Sequence, residues 1–308
     1  HFNLGVVQAK IGNHIAAIKS FNDTISQEPG HVDAHYNIGI SYYHIKNFKM
    51  SEVSFKRALE LSPTHTESYY NLGIVYFELC HYKESVRNYR KLLIINSNHS
   101  ETLNNIAASL NEIQRYDDAI KYCNQALQLN FTSSDLYNNL GNALNGNGNF
   151  IDSRQALKKS LLINPDYAGP YNNLGNTYSE TGHIEEAINN FKKSILIDDK
   201  NPKANYHYGI LLYQLGHYDN AIIHFEKTDF DLSHSYLLRC LYFLNQQTRF
   251  YTYLDSLIAK GKNDAIIGSL CNRANIEFGI PRPNPFCADP ISYVLVKSLE
   301  NEYNFSKI

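Results

Sequence analysis

No apolar run in this sequence approaches the roughly 20 residues that a membrane-spanning helix needs, and no signal peptide is visible. A membrane partner is therefore not expected. Nor is there an excess of one charge: 28 Lys and Arg stand against 30 Asp and Glu in 308 residues, a net charge of −2. That balance argues against nonspecific nucleic-acid binding, which needs a basic stripe. Cysteine is sparse. Cys80, Cys123, Cys240, Cys271 and Cys287 are scattered and odd in number, without a CxxC or zinc spacing. Reduced thiols that pack as small hydrophobes are expected, which points to a cytoplasmic chain. Trp is absent and Met occurs once, whereas Tyr reaches 24. Asn is so abundant that codon bias in a low-GC genome is one explanation, and no single Asn carries weight. The sequons at Asn22, Asn98, Asn130 and Asn304 read as coincidence in such a chain.

What the sequence does have is a period. A glycine recurs at Gly5, Gly39, Gly73, Gly141, Gly175 and Gly209, each place 34 residues from the next, with Ala107 filling the missing one. No insertion disturbs the register, and such self-similarity predicts a solenoid. Within each period two amphipathic helices are expected. In the third, Tyr69, Leu72, Gly73 and Tyr76 share one helical face, and Tyr82, Ser85, Tyr89 and Leu92 share another. Gly12, Gly148, Gly182 and Gly216 fall between the two helices, suited to a left-handed helix end. Pro29, Pro63 and Pro165 fall between repeats, and elsewhere Ser97, Phe131, Asp199 and Ser233 take that place. The sequence opens at His1 inside a repeat that lacks its first residues, so a piece of a longer protein is expected.

These residues resemble the tetratricopeptide repeat family over seven consecutive units, residues 1–235. Small residues at Ala17, Ser51, Ser85, Ala119, Ser153, Ala187 and Ala221 stand where that family packs its second helix on the first. Phe21, Phe55, Tyr89, Phe191 and Phe225 take its aromatic position, with Cys123 and Leu157 as departures. The resemblance implies an all-α, right-handed superhelical solenoid with a concave groove lined by the first helices. Residues 236–308 read as a divergent helical pair (Tyr236–Asn245, Arg249–Ala259), a helix over Asp264–Phe278, a Pro-rich connector from Ile280 to Pro290, and a capping helix over Ile291–Tyr303. A terminal repeat needs such a cap for its exposed apolar face. The segment from Asn284 to Pro290 is also similar to the junction in proteins whose repeats precede a 2-oxoglutarate/iron oxygenase domain, although 73 residues after position 235 are too few for that domain.

Two positions before each glycine stand Asn3, Asn37, Asn71, Asn105, Asn139 and Asn173, then His207. With the residues three before and one after, they occupy one face of each first helix. Composition alone would scatter Asn rather than place one in six successive repeats. An Asn amide offers one acceptor and two donors, so it can pair with both groups of an extended peptide backbone. The ladder is similar to that in the repeat domain of O-linked N-acetylglucosamine transferases, which read as this chain does from Tyr137 to Asn142, and the resemblance implies backbone capture. The alternative is that each Asn bridges one first helix to the next and meets no ligand.

Flanking positions grade the groove. Tyr36, Ile40, Tyr43, Tyr70, Ile74 and Phe77 make its start aromatic; Asn104, Asn138, Asn142, Asn145, Asn172 and Asn176 make its middle amide-rich; Tyr206, Ile210 and Tyr213 return it to apolar. Such aromatics are candidate anchors for ligand side chains. Asp33, Glu67, Glu101 and Asp135 open the first helices, where the dipole favours carboxylates. The clamp of Lys, Arg and Asn by which some repeat proteins grip a chaperone's C-terminal carboxylate is missing its cations. His31-Val-Asp33 and the His31/His35 pair lack a third ligand, and His31, His65 and His99 share one inter-repeat turn, so no metal and no cofactor are expected. Gly146-Asn-Gly148 follows no strand and is a helix-ending turn.

The reading is a non-catalytic module, not an enzyme, that binds a protein or peptide in its groove. Its candidate binding residues are Asn37, Asn71, Asn105, Asn139 and Asn173, the flanking Asn138, Asn142, Asn172 and Asn176, and Tyr36, Tyr43, Tyr70, Phe77, Tyr206 and Tyr213. Two other readings stay open: the substrate-recognition arm of a larger enzyme, either a glycosyltransferase or a 2-oxoglutarate/iron oxygenase whose catalytic domain is not in this sequence, and self-association through the groove.

Overall fold

Helical pairs follow one another without interruption in the computed structural model, which describes residues 1–230, 232–261 and 265–280. Seventeen helices and no strand occur among the described residues. The chain divides into two compact units, His1–Asn173 and Leu174–Ile308. In the first unit the pairs are α1 (Phe2–Lys10) with α2 (His14–Gln27), α3 (Val32–His44) with α4 (Phe48–Leu61), and α5 (Thr66–Glu78) with α6 (Tyr82–Ile95). They continue with α7 (Ser100–Glu112) and α8 (Tyr116–Gln128), then α9 (Ser134–Gly146) and α10 (Phe150–Ile163). The helix α11 (Ala168–Glu180) contains the division. The second unit holds α12 (Ile184–Ile197), α13 (Pro202–Gln214), α14 (Tyr218–Phe225), α15 (Ser233–Phe243), α16 (Gln247–Ala259) and α17 (Ala265–Phe278). This is the all-α repeat solenoid that the 34-residue period predicts.

The small residue of each first helix is where its partner helix comes close. A Cβ built on Gly39 would stand 2.6 Å from the Phe55 ring, on Gly73 2.4 Å from Tyr89, and on Gly175 2.6 Å from Phe191. Each ring lies sixteen residues on and is buried. Where the second helix carries Ser in place of Ala, its hydroxyl donates to the glycine carbonyl: Ser51 to Gly39 at 2.7 Å, Ser85 to Gly73 at 2.8 Å, and Ser153 to Gly141 at 2.7 Å. At the fourth repeat the pair is Ala107 and Cys123, both fully buried. The added methyl group meets a side chain too small to collide with it.

Caps set the helix boundaries. His31, His65 and His99 accept from the backbone N–H of Ala34, Ser68 and Thr102 through Nδ1, so these imidazoles are N-caps, as the shared turn suggests. His35 Nε2 meets the Pro29 carbonyl. Among the described residues no three His, Cys, Asp or Glu side chains gather as a metal site, and no helix is long and apolar enough to cross a membrane. First helices end on a left-handed residue: Gly12, Gly148, Gly182 and Gly216, but Lys46, Cys80 and Gln114 in the repeats between, with φ of 59°, 58° and 58°. A side chain there costs about 1–2 kcal/mol, against about 0.5–1 kcal/mol for the extra unfolded freedom of glycine. Gln114→Gly should therefore raise stability by about 0.5–1 kcal/mol, read as a shift in the urea midpoint.

Three departures from the sequence reading stand out. Cys80 is exposed at its left-handed turn and does not pack as a small hydrophobe, whereas Cys123, Cys240 and Cys271 are buried. The second helix of the seventh repeat, α14, runs for only 8 residues where the other six run for 13 or 14. There the Thr228 hydroxyl donates to the Pro202 carbonyl and Phe230 packs on Tyr206, with ring centres 5.3 Å apart, so the chain turns instead of continuing. After it, α15 and α16 begin at Ser233 and Gln247, earlier than the Tyr236 and Arg249 expected for the divergent pair. The connector beyond Ile280, the capping helix and Cys287 lie outside the described residues.

Candidate functional site

Asn37, Asn71, Asn105, Asn139 and Asn173 are half-buried on one face of their first helices, as the periodicity places them, whereas Asn3 is exposed. Their amides are not idle. Asn71 Nδ2 donates to the Tyr36 hydroxyl at 3.1 Å, and Asn105 Nδ2 to the Tyr70 hydroxyl at 3.2 Å. Further on, Asn139 donates to Asn104 Oδ1 and Asn173 to Asn138 Oδ1, both at 2.9 Å. Every one of these bonds reaches back 35 residues, from one first helix to its predecessor. The acceptors are the flanking residues three before the small residue (Gly39, Gly73, Ala107 or Gly141) of the preceding repeat, so ladder and flanking residues hydrogen-bond each other.

The remaining donors are also engaged in the early repeats. Asn37 donates to the Asp33 carbonyl at 2.7 Å and Asn71 to the Glu67 carbonyl at 2.9 Å, one turn back on their own helices. Among the described residues nothing donates to Oδ1 of Asn71, Asn105 or Asn139. The acceptor is the atom these amides still present. At Asn71 both amide hydrogens are taken, by the Tyr36 hydroxyl and the Glu67 carbonyl, which leaves that amide no donor for a further partner.

Tyr36, Tyr43, Tyr70, Phe77, Asn138, Asn142, Asn176 and Tyr213 are half-buried. Asn176 pairs through Nδ2 with His207 Nδ1 at 3.1 Å. Two candidates are not on the surface. Asn172 is buried and turns its amide to Asn173 Oδ1 at 3.2 Å. Tyr206 is buried because Phe225, Phe230 and Tyr236 surround its ring. Neither offers an anchor to a ligand.

Between α5 and α7 a pocket of about 150 Å³ opens beside the ladder, lined by Ile74, Phe77, Tyr89, Asn105 and Ala108. That is the size of an apolar cavity able to hold a benzene ring. Periodicity placed Ile74, Phe77 and Asn105 on this face, but not Tyr89, whose ring reaches through from α6. The acidic series is present as expected, with Asp33, Glu67 and Glu101 exposed in the first turns.

A second cleft, of about 720 Å³, lies in the Leu174–Ile308 unit, where Leu196, Asp199, Tyr208 and His224 are among its lining residues. Burial, then the nearby Lys227, lowers the His224 pKa to about 4, and Nδ1 meets Asn205 Oδ1 at 3.0 Å. Because the folded value lies below the unfolded 6.5, stability is full above pH 6.5 and lost as pH falls towards 4. Allowing for the ring's partial exposure, the loss should be about 1–2 kcal/mol. Urea midpoints at neutral and acid pH should differ in the parent and converge in His224→Gln.

Models described as tetratricopeptide repeat match residues 32–65, 66–99, 100–132, 132–200 and 172–231. A tetratricopeptide repeat protein of Parabacteroides merdae superposes with a TM-score of 0.70 at 17% identity, covering 78% of this chain and 97% of its own. The Cut9–Hcn1 hetero-tetramer of the APC/C matches with a TM-score of 0.63 at 13% identity, over 77% of this chain and 48% of that one. TTC0263, a tetratricopeptide repeat protein of Thermus thermophilus, gives 0.50 at 17% identity over 59% and 99%. No curated protein matches.

Proposed function

The chain belongs to the tetratricopeptide repeat family, and from that premise we propose a non-catalytic scaffold that holds an extended partner segment against the first helices of His1–Asn173. Repeats of this kind bind protein partners. The observation that carries the finer reading is the pocket at Ile74, Phe77, Tyr89 and Ala108, with the Asn105 acceptor on its rim. An apolar ligand side chain fills the pocket while the ligand's backbone N–H donates to Asn105 Oδ1. Oδ1 of Asn71 and Asn139 repeats the same contact one helix away on either side. Each such bond contributes about 0.5–1.5 kcal/mol net, so affinity comes from several in register plus the anchor. Tyr36 and Tyr70 orient the amides in this scheme, since they accept their N–H groups.

The test is a library of labelled, extended peptides offered to the full chain and to Ala108→Arg. The half-buried Ala108 lines the pocket, so the longer side chain obstructs it while the core of α7 stays intact. Peptides with a large apolar residue should bind the parent and bind the variant at least about tenfold more weakly, with the melting temperature unchanged. Equal binding by both proteins would remove the pocket from the account.

A further inference from the structure

The second helices carry a surface that the balanced net charge conceals. On α6, Lys83, Arg87, Arg90 and Lys91 fall at i, i+4, i+7 and i+8, one stripe of the helix, and all four are exposed. Together with Arg115, at the start of α8, they surround a cleft of about 380 Å³ whose apolar lining is Val86, Ile94, Leu110 and Ile113. Ile94 is 84% exposed, the apolar centre of a cationic ring.

This concentration is not a property of the repeat. The positions one repeat earlier hold Lys49, Val53, Lys56 and Arg57; those one repeat later hold Asp117, Lys121, Asn124 and Gln125. On α4 the cations are neutralised at home, Lys56 by Glu52 at 2.6 Å and Arg57 by Glu60 at 2.7 Å. On α6, among the described residues, no carboxylate lies within ion-pair distance of Lys83, Arg87, Arg90 or Lys91. Arg115 pairs with Asp118. Arg90 lies over the Tyr122 ring and donates to its hydroxyl at 3.1 Å, and Lys91 lies over Tyr69. These aromatic contacts hold the cations in place without discharging them.

We infer that the cleft between α6 and the end of α7 docks an acidic protein segment, one in which carboxylates flank a large apolar residue. The cations meet the carboxylates, and the apolar residue covers Ile94 against Val86 and Ile113. Four uncompensated cations on a chain of net charge −2 would steer such a segment and fix its register. A nucleic-acid strand is the poorer fit: its phosphates leave the apolar lining wet, and Tyr69 and Tyr122 are covered by cations and not open for base stacking. This surface is separate from the first-helix pocket, so the two proposals stand or fall independently.

The test measures binding of a labelled amphipathic peptide of Glu and Leu to the full chain. Its controls are the same peptide with Gln for Glu, and a single-stranded oligonucleotide. The parent should bind the Glu peptide at least about tenfold more tightly than either control, and weaken as added salt shortens the Debye length from about 10 Å to about 3 Å. Lys83→Glu/Arg87→Glu/Lys91→Glu should lose at least about tenfold in affinity, whereas Ala108→Arg keeps the parent value. Should the triple reversal fail to fold, Arg87→Gln/Lys91→Gln replaces it, with a smaller loss in the same direction. Equal binding of the Glu and Gln peptides, parental affinity in the charge variants, or tighter binding of the oligonucleotide would overturn the inference. So would loss of the Glu peptide in Ala108→Arg alone.

Discussion

Cys123→Phe alone should cost about 1–3 kcal/mol by overpacking, and most of that should vanish when Ala107→Gly is made beside it. At Gly5, Gly39, Gly73, Gly175 and Gly209 the small residue faces an aromatic ring sixteen residues on, and a Cβ there would approach the ring to between 2.4 and 2.7 Å. The fourth repeat keeps the same register with Ala107 against Cys123, both without solvent exposure. Restoring the ring without removing the methyl group reproduces the collision; making both changes recreates the pair used elsewhere. Ala107→Gly alone should destabilise as well, by about 1 kcal/mol of helix propensity plus the void it leaves. The two residues touch, so the cycle should show a coupling of about 1–3 kcal/mol, measured by chemical denaturation. Additive effects would mean that the helices can spread and that the glycine register is not set by packing.

Asn105→Ala/Asn139→Ala/Asn173→Ala should destabilise the His1–Asn173 unit by about 1–3 kcal/mol, although alanine is the better helix former by about 0.5 kcal/mol per site. Three bonds between successive first helices disappear, and the Tyr70 hydroxyl, Asn104 Oδ1 and Asn138 Oδ1 lose the N–H they accept. Local propensity and the inter-repeat bond therefore push in opposite directions, and the sign of the change decides between them. Unfolding should also become less cooperative, since stability in a repeat array depends on nearest-neighbour interfaces. A triple variant as stable as the parent, or more so, would show that the amides contribute nothing to the stacking.

Much of this was legible in the sequence. The period, the helix pairs, the close approach at Gly39 and Gly73, and the ladder's position all follow from residue types at fixed spacing. The partner of each ladder amide was not, because a bond 35 residues long depends on how successive first helices stack. The sequence left capture and bridging open, and one N–H of each of Asn71, Asn105, Asn139 and Asn173 bridges to the preceding first helix. Tyr206 occupies the same repeat position as Tyr36 and Tyr70, yet it is buried. The cause is Phe230, brought over it by the early end of α14, and the stretch from His224 to Phe230 contains no Gly or Pro to announce that turn. The cationic stripe on α6 could have been found from its i, i+4, i+7, i+8 spacing; whole-chain charge hid it.

The most direct measurement compares one apolar-anchored peptide with its backbone N-methylated form, changed at alternate residues and titrated into the full chain. If the ladder carbonyl oxygens accept ligand N–H groups, each methyl group in register should weaken binding by about two- to tenfold, since a net hydrogen bond contributes about 0.5–1.5 kcal/mol. Methylation in the other register, where the N–H groups face away, should cost much less. A peptide that binds as tightly when methylated in either register would contradict backbone capture and leave the Phe77–Tyr89 pocket to act alone.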